Sequence, residues 1–177
     1  MSVFVTVGTT KFDALVRAVD SDECLAALAA RGYSRVLLQI GHGEYTPLAR
    51  RADAAPGVQV THYRHSAQYK QDVAGADLVI SHAGAGSIMD ALALRKPLVV
   101  VVNTLLMDNH QAELADAMAE QHYCVSTTCD ELAHTLRTAE LSALRAYPAP
   151  DEFAFPQLVD RVLAQGDALH SDKSKRA

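Results

Sequence analysis

Three features are scarce or missing in this sequence, and each absence removes a class of function. There is no long block of like charge, and 16 Lys and Arg against 21 Asp and Glu give a formal net charge of −5. A chain without a basic face has little to offer a polyphosphate backbone, so no nucleic-acid role is expected. The one basic cluster, Lys173, Lys175 and Arg176, lies in the tail and reads as a solvated end. No apolar run is long enough to span a bilayer: the longest, about 97–107, is broken by Asn103 and Thr104 and falls short of the ~20 residues required. Any membrane contact is therefore expected through a partner. Cysteine is sparse too, with Cys24, Cys124 and Cys129 forming no C-x-x-C pair. Together with the lack of a leader-like stretch before the first strand-like run, this points to a reducing cytosol.

What is present suits one α/β domain. The 177 residues are 49% apolar, enough for a core without disulfides or a structural metal. Short runs rich in β-branched residues, at 3–7, 35–40, 58–63, 78–81, 98–102 and 123–126, alternate with stretches of helical period at 12–19, 22–30, 68–74, 87–94, 109–120 and 130–137. Several of the runs are apolar at every position, as strands covered by helices on both faces must be. The expectation is a Rossmann-like, doubly wound parallel sheet. Residues 1–146 form the ligand-binding domain in this reading. Tyr147-Pro148-Ala149-Pro150 cannot continue a helix and opens a linker with a last helix, 147–166, before a disordered tail, 167–177. In that helix Phe155, Leu158, Val159, Val162 and Leu163 make an apolar stripe that suits packing on its own domain or on a partner.

The chemistry is concentrated in Ser81-His82-Ala83-Gly84-Ala85-Gly86-Ser87-Ile88-Met89-Asp90, which leaves a strand and opens a helix. Glycines let a phosphate approach the backbone, the helix N-terminus supplies unpaired N–H groups and partial positive charge, and Ser87 can cap the helix or donate to an oxygen. Asp90, one turn in, can accept from a ribose diol. Glycine needed only for tight packing would leave the same signature. The turn after the first strand, Gly8-Thr9-Thr10, lacks the dinucleotide fingerprint, and no Walker lysine follows any glycine turn. A nucleotide-sugar fits this pattern better than a dinucleotide or ATP.

A second constellation, Met107-Asp108-Asn109-His110-Gln111, follows the run at 98–102 and is expected at the same sheet edge. Amide and imidazole groups suit a sugar, whose hydroxyls each need donors and acceptors. Asp108 as a plain helix cap, with His110 and Gln111 merely exposed, is the alternative. His62 and His65 lack a third ligand and read as a solvated loop, so no metal site is expected.

Five segments in order, Val5 to Asp13, Gln39 to Gly43, Ser81 to Ser87, Lys96 to Leu98 and Met107 to Gln111, resemble one family over residues 3–165. It is the family of cytosolic catalytic subunits of the UDP-N-acetylglucosamine transferase that adds the second sugar to dolichol-linked chitobiose. The chain is also similar to the C-terminal halves of other GT-B glycosyltransferases, including the bacterial enzyme making lipid II. The resemblance implies an inverting transferase subunit using UDP-N-acetylglucosamine and a lipid-diphosphate-sugar acceptor. It further implies a membrane-anchored partner that supplies the missing acceptor half at the cytosolic face of the endoplasmic reticulum, with no metal or other cofactor. It assigns His82, Gly84, Ala85, Gly86 and Ser87 to the diphosphate, Asp90 to the ribose, and Asn109, His110 and Gln111 to the donor sugar. Protonated His82 would help stabilise the leaving diphosphate. Gly8, Thr9 and Thr10, with Gly41-His42-Gly43, would border the cleft between the halves, unless they are ordinary turns. Two departures stand out: Asp90 where relatives more often have glutamate, and Arg95 where they usually have glycine, the latter read as a surface change. The general base is not identified. A bacterial polysaccharide transferase half using another UDP-sugar, or a non-catalytic UDP-sugar-binding module, would carry similar motifs. A nucleotide-sugar epimerase would need both halves in one chain.

Overall fold

The computed structural model describes residues 1–49, 56–104 and 110–149, with the side chains of residues 110 and 111 outside that set. Among the described residues, six strands, β1 (Ser2–Thr6), β2 (Arg35–Gln39), β3 (Gln59–Tyr63), β4 (Leu78–His82), β5 (Leu98–Val102) and β6 (Val125–Thr128), pair in parallel in the order β3-β2-β1-β4-β5-β6. The helices are α1 (Asp13–Asp20), α2 (Asp22–Ala30), α3 (Tyr69–Gly75), α4 (Ala85–Ala93), α5 (His110–Glu120) and α6 (Leu132–Thr138), followed by a short 3-10 turn, Leu141–Ala143. This is the expected doubly wound sheet.

Side-chain alternation along the strands builds two cores. On β1, Val3 and Val5 point to the side where α1, α2 and α6 supply Leu15, Val16, Leu25, Leu28, Leu132 and Leu136. Phe4 points to the other, against Val73 of α3, Ile88 and Ala91 of α4, and Ala115 of α5. The first residues of β4 and most of β5 are apolar on both faces: Leu78, Val79 and Ile80 of β4 and Leu98 to Val101 of β5 are all buried. At the β3 edge, Gln59 and Thr61 are exposed while Val60 is buried. Each fully buried Val, Leu, Ile or Phe contributes about 1.5–3 kcal/mol, so β4 and β5 anchor the sheet from its middle.

Three helices end in the same hydrogen-bond pattern, in which a left-handed residue carries the chain out of the helix. After α2, Gly32 has φ 84 and Tyr33 N–H reaches back to the Leu28 carbonyl at 3.0 Å. After α4 the left-handed residue is Arg95, φ 54, and Lys96 N–H donates to Ala91 at 3.0 Å. After α5 it is His122, φ 61, and Tyr123 N–H donates to Met118 at 3.0 Å. Two expectations change as a result. Arg95 is exposed but is more than a surface change: it occupies a backbone position where glycine is strain-free. Tyr123, read as the start of a strand, belongs to the helix exit, so β6 begins only at Val125.

The chain divides into two compact units, Met1–Tyr147 and Pro148–Ala177. The apolar stripe at 155–163 and the tail lie outside the described residues. No helix among the described residues is long and apolar enough to cross a membrane. The three cysteines are free, and burial pushes Cys24 up to about 12 and Cys124 and Cys129 up to about 11, so all are neutral thiols near neutrality.

Candidate functional site

The strand order reverses between β1 and β4: β2 and β3 lie on one side, β5 and β6 on the other. In open parallel sheets, ligands bind in the crevice outside the carboxyl ends of the strands at that point. Two glycine turns leave the sheet there. Gly8-Thr9-Thr10 follows β1, and Ala83-Gly84 follows β4.

His82, the last residue of β4, joins the two turns. The residue is 9% exposed, and Nδ1 lies 3.3 Å from the Thr6 carbonyl of β1. The two glycines make room for the rest of the ring. A Cβ on Gly8, which also has φ 62, would come within 2.9 Å of His82 Cε1; on Gly84 it would come within 2.2 Å of Nε2. With Nδ1–H donating to Thr6, Nε2 is left beside the Gly84 turn. Burial lowers the His82 pKa from 6.5, the Thr6 carbonyl opposing it only in part, so the ring of the free protein is neutral near neutrality. A protonated His82 is thus not the resting state, and bound anionic charge would have to bring the proton.

The β1 turn is fixed from beneath by a buried polar pair. Thr6 Oγ1 accepts from Gly8 N–H at 2.9 Å and donates to Gln39 Oε1 at 2.6 Å. The Gly41-His42-Gly43 turn after β2 packs behind it: His42 N–H donates to the Thr10 carbonyl at 3.1 Å, and Arg64 bonds the Gly43 carbonyl at 2.6 Å. His65 sets its ring against His42 at a tilt of 53°, with centroids 4.7 Å apart. Thr9 is exposed, while Thr10 donates its hydroxyl to the Val7 carbonyl at 2.8 Å. Sequence reasoning passed over Thr6 and Arg64. Thr6 did leave a signal, as a polar residue closing the apolar run Val3 to Val5.

α4 starts earlier than the sequence suggested. Gly84 is its N-cap with ψ 125, no side chain caps it, and the first helical bond runs from Ile88 N–H to the Gly84 carbonyl at 3.1 Å. Ser87 is therefore the third residue of the helix and not its cap. Ala85, Gly86 and Ser87 thus present main-chain N–H groups with no partner among the described residues, at an end carrying roughly half a positive charge. A Cβ on Gly86 would meet nothing within 4 Å, so the first turn is open space. Ser87 and Asp90, one turn apart and both half-buried, continue that face inward. This arrangement can hold a diphosphate at the helix end and a hydroxylated ring beside it.

α5 begins beyond the carboxyl end of β5, the neighbour of β4, so residues 110 and 111 start at the same sheet edge. Asn109 lies outside the described residues. A cavity of about 150 Å³ lies at this edge, between Phe12, Asn103, Thr104 and Asp130. The larger groove, about 300 Å³, is lined by Ser2, Arg35 and Gln59, the first residues of their strands, and by Gly75 at the end of α3. It sits away from the glycine turns, and size does not make it the better site.

Comparison with known proteins gives the family and the fold. Residues 2–162 match the glycosyltransferase family 28 C-terminal domain. The chain belongs to that family. This family 28 domain is 45% identical over 130 residues to the Mus musculus protein named UDP-N-acetylglucosamine transferase subunit ALG13, covering 73% of this chain and 11% of that protein. To the protein of the same name from Saccharomyces cerevisiae it is 35% identical over 189 residues, covering 89% of this chain and 94% of the relative. An NMR solution structure of ALG13 superimposes with a TM-score of 0.65 at 30% identity, over 89% of this chain and 94% of that one. The crystal structure of Acinetobacter baumannii MurG, 17% identical with a TM-score of 0.60, covers 82% of this chain and 41% of its own, and shares the fold. The domain therefore has the architecture of the C-terminal half of a GT-B glycosyltransferase.

Proposed function

We propose that this domain is the donor-binding half of an inverting transferase that moves N-acetylglucosamine from UDP-N-acetylglucosamine to a lipid-diphosphate-N-acetylglucosamine acceptor. The observation that carries the reading is the uncapped N-terminus of α4 behind Gly84, set against Gly8 across the His82 ring at the point where the strand order reverses. The relatives named as subunits of a UDP-N-acetylglucosamine transferase support the donor.

The chemistry follows from where charge develops. As the bond from sugar C1 to the β-phosphate oxygen breaks, its electron pair stays on that oxygen. The N–H groups of Ala85, Gly86 and Ser87 and the α4 dipole face the growing charge in a geometry fixed before the reaction. His82 is neutral at rest; beside a diphosphate its protonated form becomes favourable, and Nε2–H then donates to the leaving group. Asp90 accepts from the ribose diol, and the start of α5, with Asn109, His110 and Gln111, holds the sugar. In this reading the helix end supplies the positive charge, and no divalent ion is required.

The acceptor hydroxyl attacks C1 from the side opposite UDP and gives its proton to a base supplied from the acceptor side. That side belongs to a membrane-anchored partner in this reading, which brings the domain to the cytosolic face of the endoplasmic reticulum. The test is transfer of labelled sugar from UDP-N-acetylglucosamine to the lipid acceptor, with the chain alone and with a candidate anchored partner, in EDTA and in magnesium. Activity that needs the partner and ignores EDTA is the expected result. Activity of the chain alone would put the acceptor site in this domain, and UDP binding without turnover under any condition would make it a binding module.

A further inference from the structure

The seam between α3 and α4 holds a polar group that the mechanism above leaves unused. Tyr69, the first residue of α3, sets its ring edge-on to Phe4 of β1, with centroids 5.9 Å apart at 64°. Its hydroxyl oxygen is buried and closes no hydrogen bond of good geometry among the described residues. Tyr63, stacked on the same Phe4, makes the contrast: its hydroxyl donates to Asp72 at 2.6 Å. One tyrosine satisfies its hydroxyl within the fold and the other does not, although a buried polar atom without a partner is costly.

The surroundings of the unsatisfied hydroxyl are polar. Burial raises the Tyr69 pKa, Ser87 within hydrogen-bonding reach pulls against that rise and the Asp90 carboxylate adds to it, so these two side chains of α4 face the hydroxyl without closing a well-aligned hydrogen bond to it. The phenol is protonated near neutrality and can donate. Both neighbours lie on the inward face of the helix whose open end forms the site.

We infer that Tyr69 is a positioning residue for nucleotide binding: once a ribose diol engages Asp90, the Tyr69 O–H donates to the same carboxylate and fixes it. A carboxylate has about four acceptor positions, so one can take the tyrosine while others take the diol. The unpaired hydroxyl of the free protein is then a donor held ready for the ligand. This inference rests on the nucleotide reading of Asp90.

Tyr69→Phe in the full chain separates the roles. Calorimetry with UDP and with 2′-deoxy-UDP is expected to show about a tenfold loss of UDP affinity, as for a hydrogen bond to a charged group. The deoxy compound should lose less, so the preference for ribose narrows. In an Asp90→Ala background the same substitution should add nothing. Thermal unfolding of the free variant should be unchanged or shifted upward, because phenylalanine keeps the ring and removes the unpaired oxygen. Unchanged UDP affinity and ribose preference would overturn the inference. So would equal losses for both nucleotides with a lowered Tm, the signature of a structural hydroxyl. Failure of the unmutated chain to bind UDP would instead overturn the nucleotide reading on which it rests.

Discussion

The two edges of the sheet are built on opposite principles. At the amino edges of β5 and β6, the exits of α4 and α5 reach back with backbone hydrogen bonds, even where this forces Arg95 and His122 into the left-handed region. At the carboxyl edges of β1 and β4, donors are left open: the first turn of α4 has no cap, a histidine is buried neutral, and two glycines stand against its ring. One edge accepts backbone strain to satisfy polar groups; the other leaves main-chain donors open among the described residues. In the function proposed above, unmet hydrogen-bonding capacity, more than cavity size, marks the ligand side of this fold.

The sharpest way to break the contrast is at Gly84. Replacing it with alanine sets a Cβ 2.2 Å from His82 Nε2 and drives the buried ring out of place, so kcat/KM is expected to fall by about 100-fold, as misplaced groups at a reacting centre do. Steady-state kinetics on the partnered enzyme would check this, and an alanine variant of full activity would refute the close packing as a functional constraint. His82→Ala leaves the backbone donors in place. It should lower kcat by about 10- to 100-fold with little change in the KM for donor, if the ring acts as charge leaves. Asp90→Ala is expected to weaken UDP binding by about tenfold by calorimetry without slowing the chemical step once donor saturates.

The buried neutral histidine also predicts a pH dependence. Its folded pKa lies below 6.5, so in acid the unfolded chain takes up a proton that the folded ring resists. The stability tied to the neutral ring is complete above that value and is lost as pH falls through it toward the folded pKa. Urea midpoints measured at about pH 7.5 and 5.5 should differ less in His82→Asn than in the unmutated chain. The smallest effect belongs to the amino edge. Arg95→Gly relieves a left-handed arginine but loosens the unfolded chain, for a net gain of about 0.5–1 kcal/mol, seen as a Tm rise of about 2 °C with UDP affinity unchanged.

Much of this was legible beforehand. The runs at 98–102 and 22–30 coincide with β5 and α2, because continuous β-branched residues and a Ser21 cap are local signals. The glycine turn at 84–86 was found for the same reason. The start of α4 was misjudged because Ser87 resembles a cap by composition, while backbone geometry puts Gly84 there. Arg95 was misread because nothing in its own chemistry announces a left-handed turn.

By itself, the sequence determined the sheet class, the helices that cover it and the position of the glycine turn at the end of β4, since periodicity and glycine placement act over a few neighbours along the chain. Tertiary structure alone decided that His82 is neutral and wedged between Gly8 and Gly84, that Thr6 braces the β1 turn through Gln39, and that the Tyr69 hydroxyl is left unpaired beside Asp90. Burial, close approach and an unmet hydrogen bond are relations between residues far apart in the chain. They exist only once the strands are in register.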